Sequence, residues 1–344
     1  MITVVIPTIG RPSLAETLAA LDADLDVVVV DDRGGGEATG RGAGPRGAAT
    51  PGLPGLEAAG PPVSPGGTGR GIRVVRSGGR GPAAARNAGW RVAETPWVVF
   101  LDDDVVPAPG WGRALREDLT GLPEDVGGSQ GRIEVPLPEG RRPTDAERHT
   151  AGLANAEWIT ADMAYRRAAL EATGGFDERF PRAYREDADL ALRTLAAGYR
   201  LVRGRRVTRH PIRDDGPWAS VRRQRGNADD ALMRRVHGPG WRAAVGGGRG
   251  RLRGHALTTG LGLLSLLAGG LAVSGGRGRG TGGLRAAAAV AGAGWLALTA
   301  EFAWSRIAPG PRTTEEIGWM TVTSVLIPPV ACARRLGGEL RVRR

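Results

Sequence analysis

The chain has 344 residues, a net charge of +11 carried without a single lysine, and one cysteine, Cys332. That length holds one large α/β domain and an appendage, and a lone thiol excludes both an intramolecular disulfide and a thiolate metal cluster. Fifteen Arg against four acids fall within residues 199–253. With no zinc, helix-turn-helix or RNA-binding signature beside them, they argue against a nucleic-acid partner and for an anionic lipid surface next to the apolar sequence that follows.

Residues 2–6 (ITVVI) predict a buried strand broken by Pro7. Ser13 and Glu16 have the spacing of a capping box, and Leu14, Leu18 and Leu21 share one face of the helix it would open. Residues 27–30 predict a second strand, ending in Asp31 and Asp32. An acid there commonly binds a nucleoside, although a solvated turn aspartate reads the same way. Residues 34–70 are Gly, Pro, Ala, Thr and Ser with scattered Arg. Such a composition buries no core, so a disordered insertion within one domain is expected. A strand over 72–75 and a glycine-rich turn lead to a helix opened by Pro82 that carries Arg86, Asn87 and Gly89. The chain has no G-x-x-x-x-G-K-[ST] phosphate loop, which removes the nucleoside triphosphatase reading.

The stretch 97–107, WVVFLDDDVVP, organises the rest. Its unbroken apolar run predicts a strand covered on both faces, and ligands of open α/β sheets sit at the carboxyl ends of such strands. Asp102, Asp103 and Asp104 would repel one another without a cation. The D-x-D spacing puts Asp102 and Asp104 on one side, and Mg²⁺ or Mn²⁺ is usually held by one or two carboxylates plus substrate phosphates. Further on, a helix is expected over 111–119, a strand over 128–135 and a helix over 166–172, followed by Gly174-Gly175-Phe176-Asp177-Glu178. Arg185-Glu186-Asp187 then opens a helix that Gly198 stops, so Glu186 and Asp187 lie in a first turn, where acids also meet the positive end of the helix dipole. Two strand pieces, 199–202 and 206–207, lead to His210, a structural histidine or a metal ligand.

VVIPT, VVVVDD, AAARNAG, FLDDD, GGFDE and REDADLALR, in that order, resemble the motifs of family 2 glycosyltransferases with the GT-A fold, from residue 1 to about 210. The resemblance implies an α/β fold, a Rossmann-like mixed sheet flanked by helices, and transfer of sugar from a nucleoside diphosphate sugar. It further implies that Pro7, Thr8, Arg11, Asp31 or Asp32, Arg86, Asn87 and Asp103 line the nucleotide. Asp102 and Asp104 would hold Mg²⁺ or Mn²⁺, with His210 as a possible third ligand. Asp187 would be the general base, paired with Glu186. The Q-x-x-R-W motif of processive polymerases is absent, the nearest sequence being Gln224-Arg225-Gly226-Asn227, which favours single addition with inversion. A sugar-phosphate nucleotidyltransferase is the alternative enzyme, disfavoured by the missing lysine. An inactive membrane-anchored nucleotide-sugar binding module is the alternative outside enzymes.

Three apolar stretches follow, 255–273, 284–304 and 317–333. The first two reach the length of a bilayer span. The third is shorter and holds Pro328 and Pro329. Two spans plus an interfacial third keep the arginine-rich tail on the cytoplasmic side. The expected organisation is thus a glycosyltransferase domain over 1–240 and a helical, membrane-embedded region over 241–344. The catalytic domain would face the cytoplasm at the cell membrane, where a saccharide or lipid-linked acceptor would meet it.

Overall fold

The computed structural model describes residues 1–34, 53, 71–275 and 281–343. Strands β1 (Ile2–Thr8), β2 (Asp26–Asp31), β3 (Ile72–Arg76), β4 (Trp97–Leu101), β5 (Val106–Pro107), β6 (Val126–Glu134), β7 (Asp162–Arg166) and β8 (Arg200–Arg209) form one mixed sheet in the order β3-β2-β1-β4-β7-β6-β8-β5. The first four run parallel, and β7 is antiparallel to both β4 and β6. The central strands carry unbroken valine because both of their faces are covered. Val4, Val27, Val29, Val99 and Leu101 pack on one side beneath α1 (Leu14–Ala19) and α3 (Trp111–Leu119). Val5, Val28, Val30, Val98 and Phe100 pack on the other beneath α2 (Pro82–Val92), α5 (Arg167–Thr173) and α6 (Glu186–Ala196). Each fully buried aliphatic side chain contributes about 1.5–3 kcal/mol.

The alanines of α2 let it lie close on the sheet. A Cβ on Gly89 would come within 2.3 Å of Val5 Cγ1 and 3.0 Å of Val30 Cγ2, so only glycine fits there. Leu14 and Leu18 are buried on one face of α1, as their spacing predicts, while Leu21, also buried, lies beyond the end of the helix at Ala19. The capping box is not formed. Ser13 is already in the right-handed helical region and its side chain makes no cap bond, so the first turn is closed by backbone alone. The two strand pieces expected around 199–207 are one strand, β8, whose pairing with β6 shifts register between Gln130 and Arg132. Of the segment 34–70, expected to be disordered and to bury no core, only Gly34 and Leu53 are described. Leu53 is buried in the cluster around Leu14 and Val29, which corrects that expectation at this one position. The rest of the segment lies outside the described residues.

The chain divides into two compact units, one of residues 1–136, 151–212 and 243–247 and the other of 137–150, 213–242 and 248–344. A single boundary at 240 therefore does not describe it. The loop 137–150, with α4 (Asp145–Ala151), and residues 213–242, with α7 (Ala219–Arg222) and α8 (Asn227–His237), cluster with the apolar helices. The short α9 (Trp241–Ala244) spans a point where the chain passes from one unit to the other. In the second unit α12 (Thr314–Val342) packs on α8, α10 (Leu252–Ser274) and α11 (Thr281–Ile307). Arg306 is buried there, bonded to Asp145, Thr323 and Ser324.

Helices α10, α11 and α12 have 23, 27 and 29 residues and are all long and apolar enough to cross a membrane. The third is longer than its sequence suggested, because the helix continues through Pro328 and Pro329. The arginine-rich stretch 199–253 is not one open basic face. Arg206 is fully buried, while Arg200 pairs with Asp125, Arg203 with Glu157, Arg242 with Asp230 and Arg251 with Glu301.

Candidate functional site

The parallel strands deliver acids at their carboxyl ends, and each acid is held by a different device. Asp31 closes β2 and is ion-paired to Arg33, 2.9 Å from its Nε. The hydrogen bonds of that guanidinium hold the Asp31 carboxyl below its ordinary range. Asp32 accepts from Ser77 Oγ (2.6 Å) and from the backbone N–H of Gly81 (2.9 Å), pinning the turn between β3 and α2. Asp103 is buried, accepting from Thr8 Oγ1 (2.6 Å) and Arg11 Nη1 (2.8 Å). Thr8 in turn accepts from the backbone N–H of Gly10, and Pro7 pairs with Val30 in the sheet. The β1 end is thus tied to the acidic loop through the middle aspartate. Asp102 and Asp104, on either side of it, meet other partners.

Asp102 is partly exposed, with a side-chain accessibility of 29%, and its Oδ1 accepts from Arg86 Nη2 at 2.7 Å. Asp104 lies 3.8 Å from Arg11 and 4.0 Å from His210 Nε2. His210 arrives there because β5 pairs with the end of β8, Val106 opposite Arg209, and its N–H bonds Glu134 O at 2.8 Å. Among the described residues no three His, Cys, Asp or Glu side chains gather into a self-sufficient metal cage. Asp104 and His210, 4.0 Å apart, do offer a carboxylate and an imidazole, donors that suit a cation taking its remaining ligands from phosphate oxygens, while Asp102 is ion-paired to Arg86.

The second acidic element is the first turn of α6. Glu186 is buried and its Oε1 accepts from Arg86 Nη1 at 2.8 Å. Burial first, then the neighbouring Asp187, pushes its carboxyl up to about 8. Half-buried Asp187 is also pushed up, chiefly by burial, against the backbone N–H of Ala188 on its Oδ1. Buried Tyr165 on β7 has its phenol raised by burial and by the charge of Asp187. Arg185, just before this turn, has φ 80°, a left-handed conformation uncommon outside glycine.

Asn87 has a different task from the expected contact with nucleotide. It is buried, donates to Phe176 O (2.8 Å) and Glu178 Oε1 (3.0 Å), and accepts from Phe176 N–H and Trp90 Nε1 (both 2.9 Å). Its amide is therefore consumed in fixing the GGFDE loop. Gly175 in that loop has φ 77°, and a Cβ there would sit 2.5 Å from Asn87 Oδ1 and from Trp90 Nε1. Arg86 likewise faces two carboxylates. Sequence reasoning missed the partners Arg33, Ser77, Glu178 and Tyr165. It also missed the buried group in which Arg206 binds Asp162 (2.7 Å), Asp118 (3.2 Å) and Ser129, while Trp111 and Thr208 donate to Asp162. Apart from Arg33, two residues from Asp31, each joins distant segments, so no spacing signal marks it.

Residues 64–189 match the family model described as Glycosyl transferase family 2. Over 136 residues the chain is 36% identical to the pre-mycofactocin glycosyltransferases of two Mycobacterium tuberculosis strains, CDC 1551 / Oshkosh and ATCC 25618 / H37Rv. That match covers 36% of this chain and 28% of those relatives. Among solved structures the chain is similar to the mannosyltransferase PcManGT from Pyrobaculum calidifontis, in complex with GDP-Man and Mn²⁺, with a TM-score of 0.52 and 19% identity over 97% of this chain and 86% of that one. At that identity the likeness is one of fold.

Proposed function

We propose that this chain, which carries a family 2 glycosyltransferase domain on a GT-A sheet, transfers a single sugar from a nucleoside diphosphate sugar to an acceptor hydroxyl, with inversion and with a divalent metal. One observation carries the reading. The acidic loop after β4 and the acidic first turn of α6 meet at one guanidinium, Arg86, 2.7 Å from Asp102 and 2.8 Å from Glu186. A donor-holding element and an acceptor-activating element are thereby joined in one place.

Asp31, Asp32 and the turn at Ser77 form the nucleoside end, where carboxylates already holding two or three donors keep a lone pair for ribose or base. Asp102 and Asp104, with His210, would hold the metal, which when bound neutralises charge on the diphosphate leaving group. Asp187 Oδ takes the acceptor hydroxyl proton as the C1–O bond to the acceptor forms and the C1–O bond to phosphate breaks, the electron pair leaving with the nucleoside diphosphate. Its raised pKa makes it a stronger base near neutral pH than an exposed aspartate. A base acting on the face opposite the leaving group gives inversion. Helices α10 to α12 support a membrane location, with an acceptor that is itself membrane-bound, such as a lipid-linked saccharide. Two spans with an interfacial third, the catalytic domain facing the cytoplasm, remain our proposed topology.

The test is release of nucleoside diphosphate by the full chain in nanodiscs, screened over UDP-, GDP- and dTDP-sugars with Mn²⁺, Mg²⁺ or chelator. Turnover that depends on metal and vanishes in Asp104→Asn supports the reading. Undiminished turnover in chelator overturns the metal assignment, and no turnover or nucleotide binding with any donor overturns the function.

A further inference from the structure

Arg86 is committed to carboxylates through its two terminal nitrogens, and its Nε is buried with no hydrogen-bond partner. It sits in the middle of α2, 2% exposed, and spends both terminal nitrogens on carboxylates 84 residues apart in sequence, Asp102 and Glu186. Its Cζ lies 5.6 Å from the centroid of the Phe176 ring, which the Asn87 clamp keeps in place. The other side of the contact is equally closed, since Glu186 has a side-chain exposure of 2%. Of the three groups only Asp102 reaches solvent. We infer that Arg86 is a positioning residue, a buried strut that fixes the metal-bearing carboxylate of Asp102 relative to the first turn of α6 and its base Asp187, and that it does not bind the nucleotide. This inference rests on the roles given above to Asp102 and Asp187.

The geometry gives the strut a reason to be arginine. A planar fork presents two N–H groups to two acceptors at once, whereas an ammonium on a flexible stem satisfies one direction at a time. A buried cation between two carboxyl groups also stabilises whichever of them is ionised, and removing it leaves that charge uncompensated. The orientation set by Arg86 turns one Asp102 oxygen inward and leaves the other for a cation. Loss of the fork at constant charge should therefore loosen Asp102 and the start of α6 together.

Arg86→Lys is the informative variant because it keeps the buried charge and removes the fork, and Arg86→Met serves as its companion. Three readouts are made on the full chain in nanodiscs: Mn²⁺ binding alone by EPR, binding of UDP and GDP in chelator, and turnover with whichever donor the screen identifies. For Arg86→Lys we expect Mn²⁺ affinity to fall by about 3–10-fold, nucleotide affinity in chelator to stay within about threefold, and kcat to fall by about 100-fold with KM within about threefold, the pattern of an interaction felt in the transition state. Unchanged Mn²⁺ affinity in Arg86→Lys overturns the strut, as does a loss of metal-free nucleotide affinity of tenfold or more, which would make Arg86 a nucleotide ligand. The Mn²⁺ readout stands even if the wild-type chain binds and turns over none of the screened donors, a result that would instead overturn the glycosyltransferase reading. If Arg86→Met fails to fold, Arg86→Lys alone decides.

Discussion

The two compact units answer the same composition in opposite ways. In the sheet-bearing unit the aliphatic side chains are sealed, with Val4, Val5, Val28 and Val99 at 0% exposure, and arginines are drawn inside wherever carboxylates wait for them, as at Arg86 and Arg206. In the helical unit large apolar side chains stand outside, Leu266 at 75%, Val273 at 82% and Val290 at 75%. Water explains the first arrangement. It would penalise the second, since contiguous exposed apolar surface marks an interaction site, and helices of this length satisfy every internal backbone group as a bilayer requires. Buried charge thus organises the strand ends of one unit, while the other exposes apolar surface on helices long enough to cross a membrane.

The sharpest break in this comparison is chemical. Asp187→Asn should cut turnover by roughly 10²–10⁴-fold, the usual contribution of a positioned base, while Mn²⁺-dependent nucleotide binding measured by calorimetry stays near wild type. Loss of nucleotide binding would reassign the residue. Next come the arginines. Arg206→Met strands Asp162 and Asp118 in the interior and should cost about 3–5 kcal/mol in denaturant unfolding. Exposed Arg253→Met in the other unit should stay within about 0.5 kcal/mol. Equal effects would mean that the buried pairs add nothing.

A third variant addresses solvent. Leu266→Arg, in the middle of α10, should cost about 2.5–3.5 kcal/mol of membrane insertion and reduce the fraction of chain resistant to carbonate extraction. If it instead yields a soluble, folded chain, these helices face water. pH gives a fourth handle. The Glu186 carboxyl rises from 4.5 to about 8, so the fold favours its neutral form. Its contribution is complete below pH 4.5 and is lost as pH climbs through about 8. Glu186→Gln should flatten the unfolding midpoint across that window, and an unaltered slope would show that the carboxyl ionises at no cost. The smallest effects compare caps. Thr313 caps α12 by accepting from Glu316 N–H at 3.2 Å, so Thr313→Ala should cost about 1 kcal/mol. Ser13→Ala, in a capping box that does not close, should change the unfolding midpoint little.

Much of the site was legible because its chemistry is local. A valine run followed by acids is a buried strand with a polar end, and the chain alone marked Asp31, Asp32, Asp102 and Asp104 in that way. The first turn of α6 announced Glu186 and Asp187 through helical periodicity and a glycine stop. Leu14 and Leu18 found the core by spacing alone. The apolar stretches at 255–273 and 284–304 likewise declared two helices by length.

What the sequence could not give is which distant groups meet. His210 stands by Asp104 only because a two-residue strand, too short to show any periodicity, pairs with the end of β8. Asn87 and Arg86 are neighbours in one motif, yet the turn of α2 sends one into the GGFDE loop and the other between two carboxylates. The burial of Arg306 against Asp145 also depends on a neighbour from elsewhere in the chain. Periodicity, apolar runs and caps are properties of a few consecutive residues, so the sequence determined the strands, the helices and the acids at their ends. The pairing of charges is set by closure of long loops and exclusion of water, so only the tertiary structure decided that one guanidinium would hold both acidic elements.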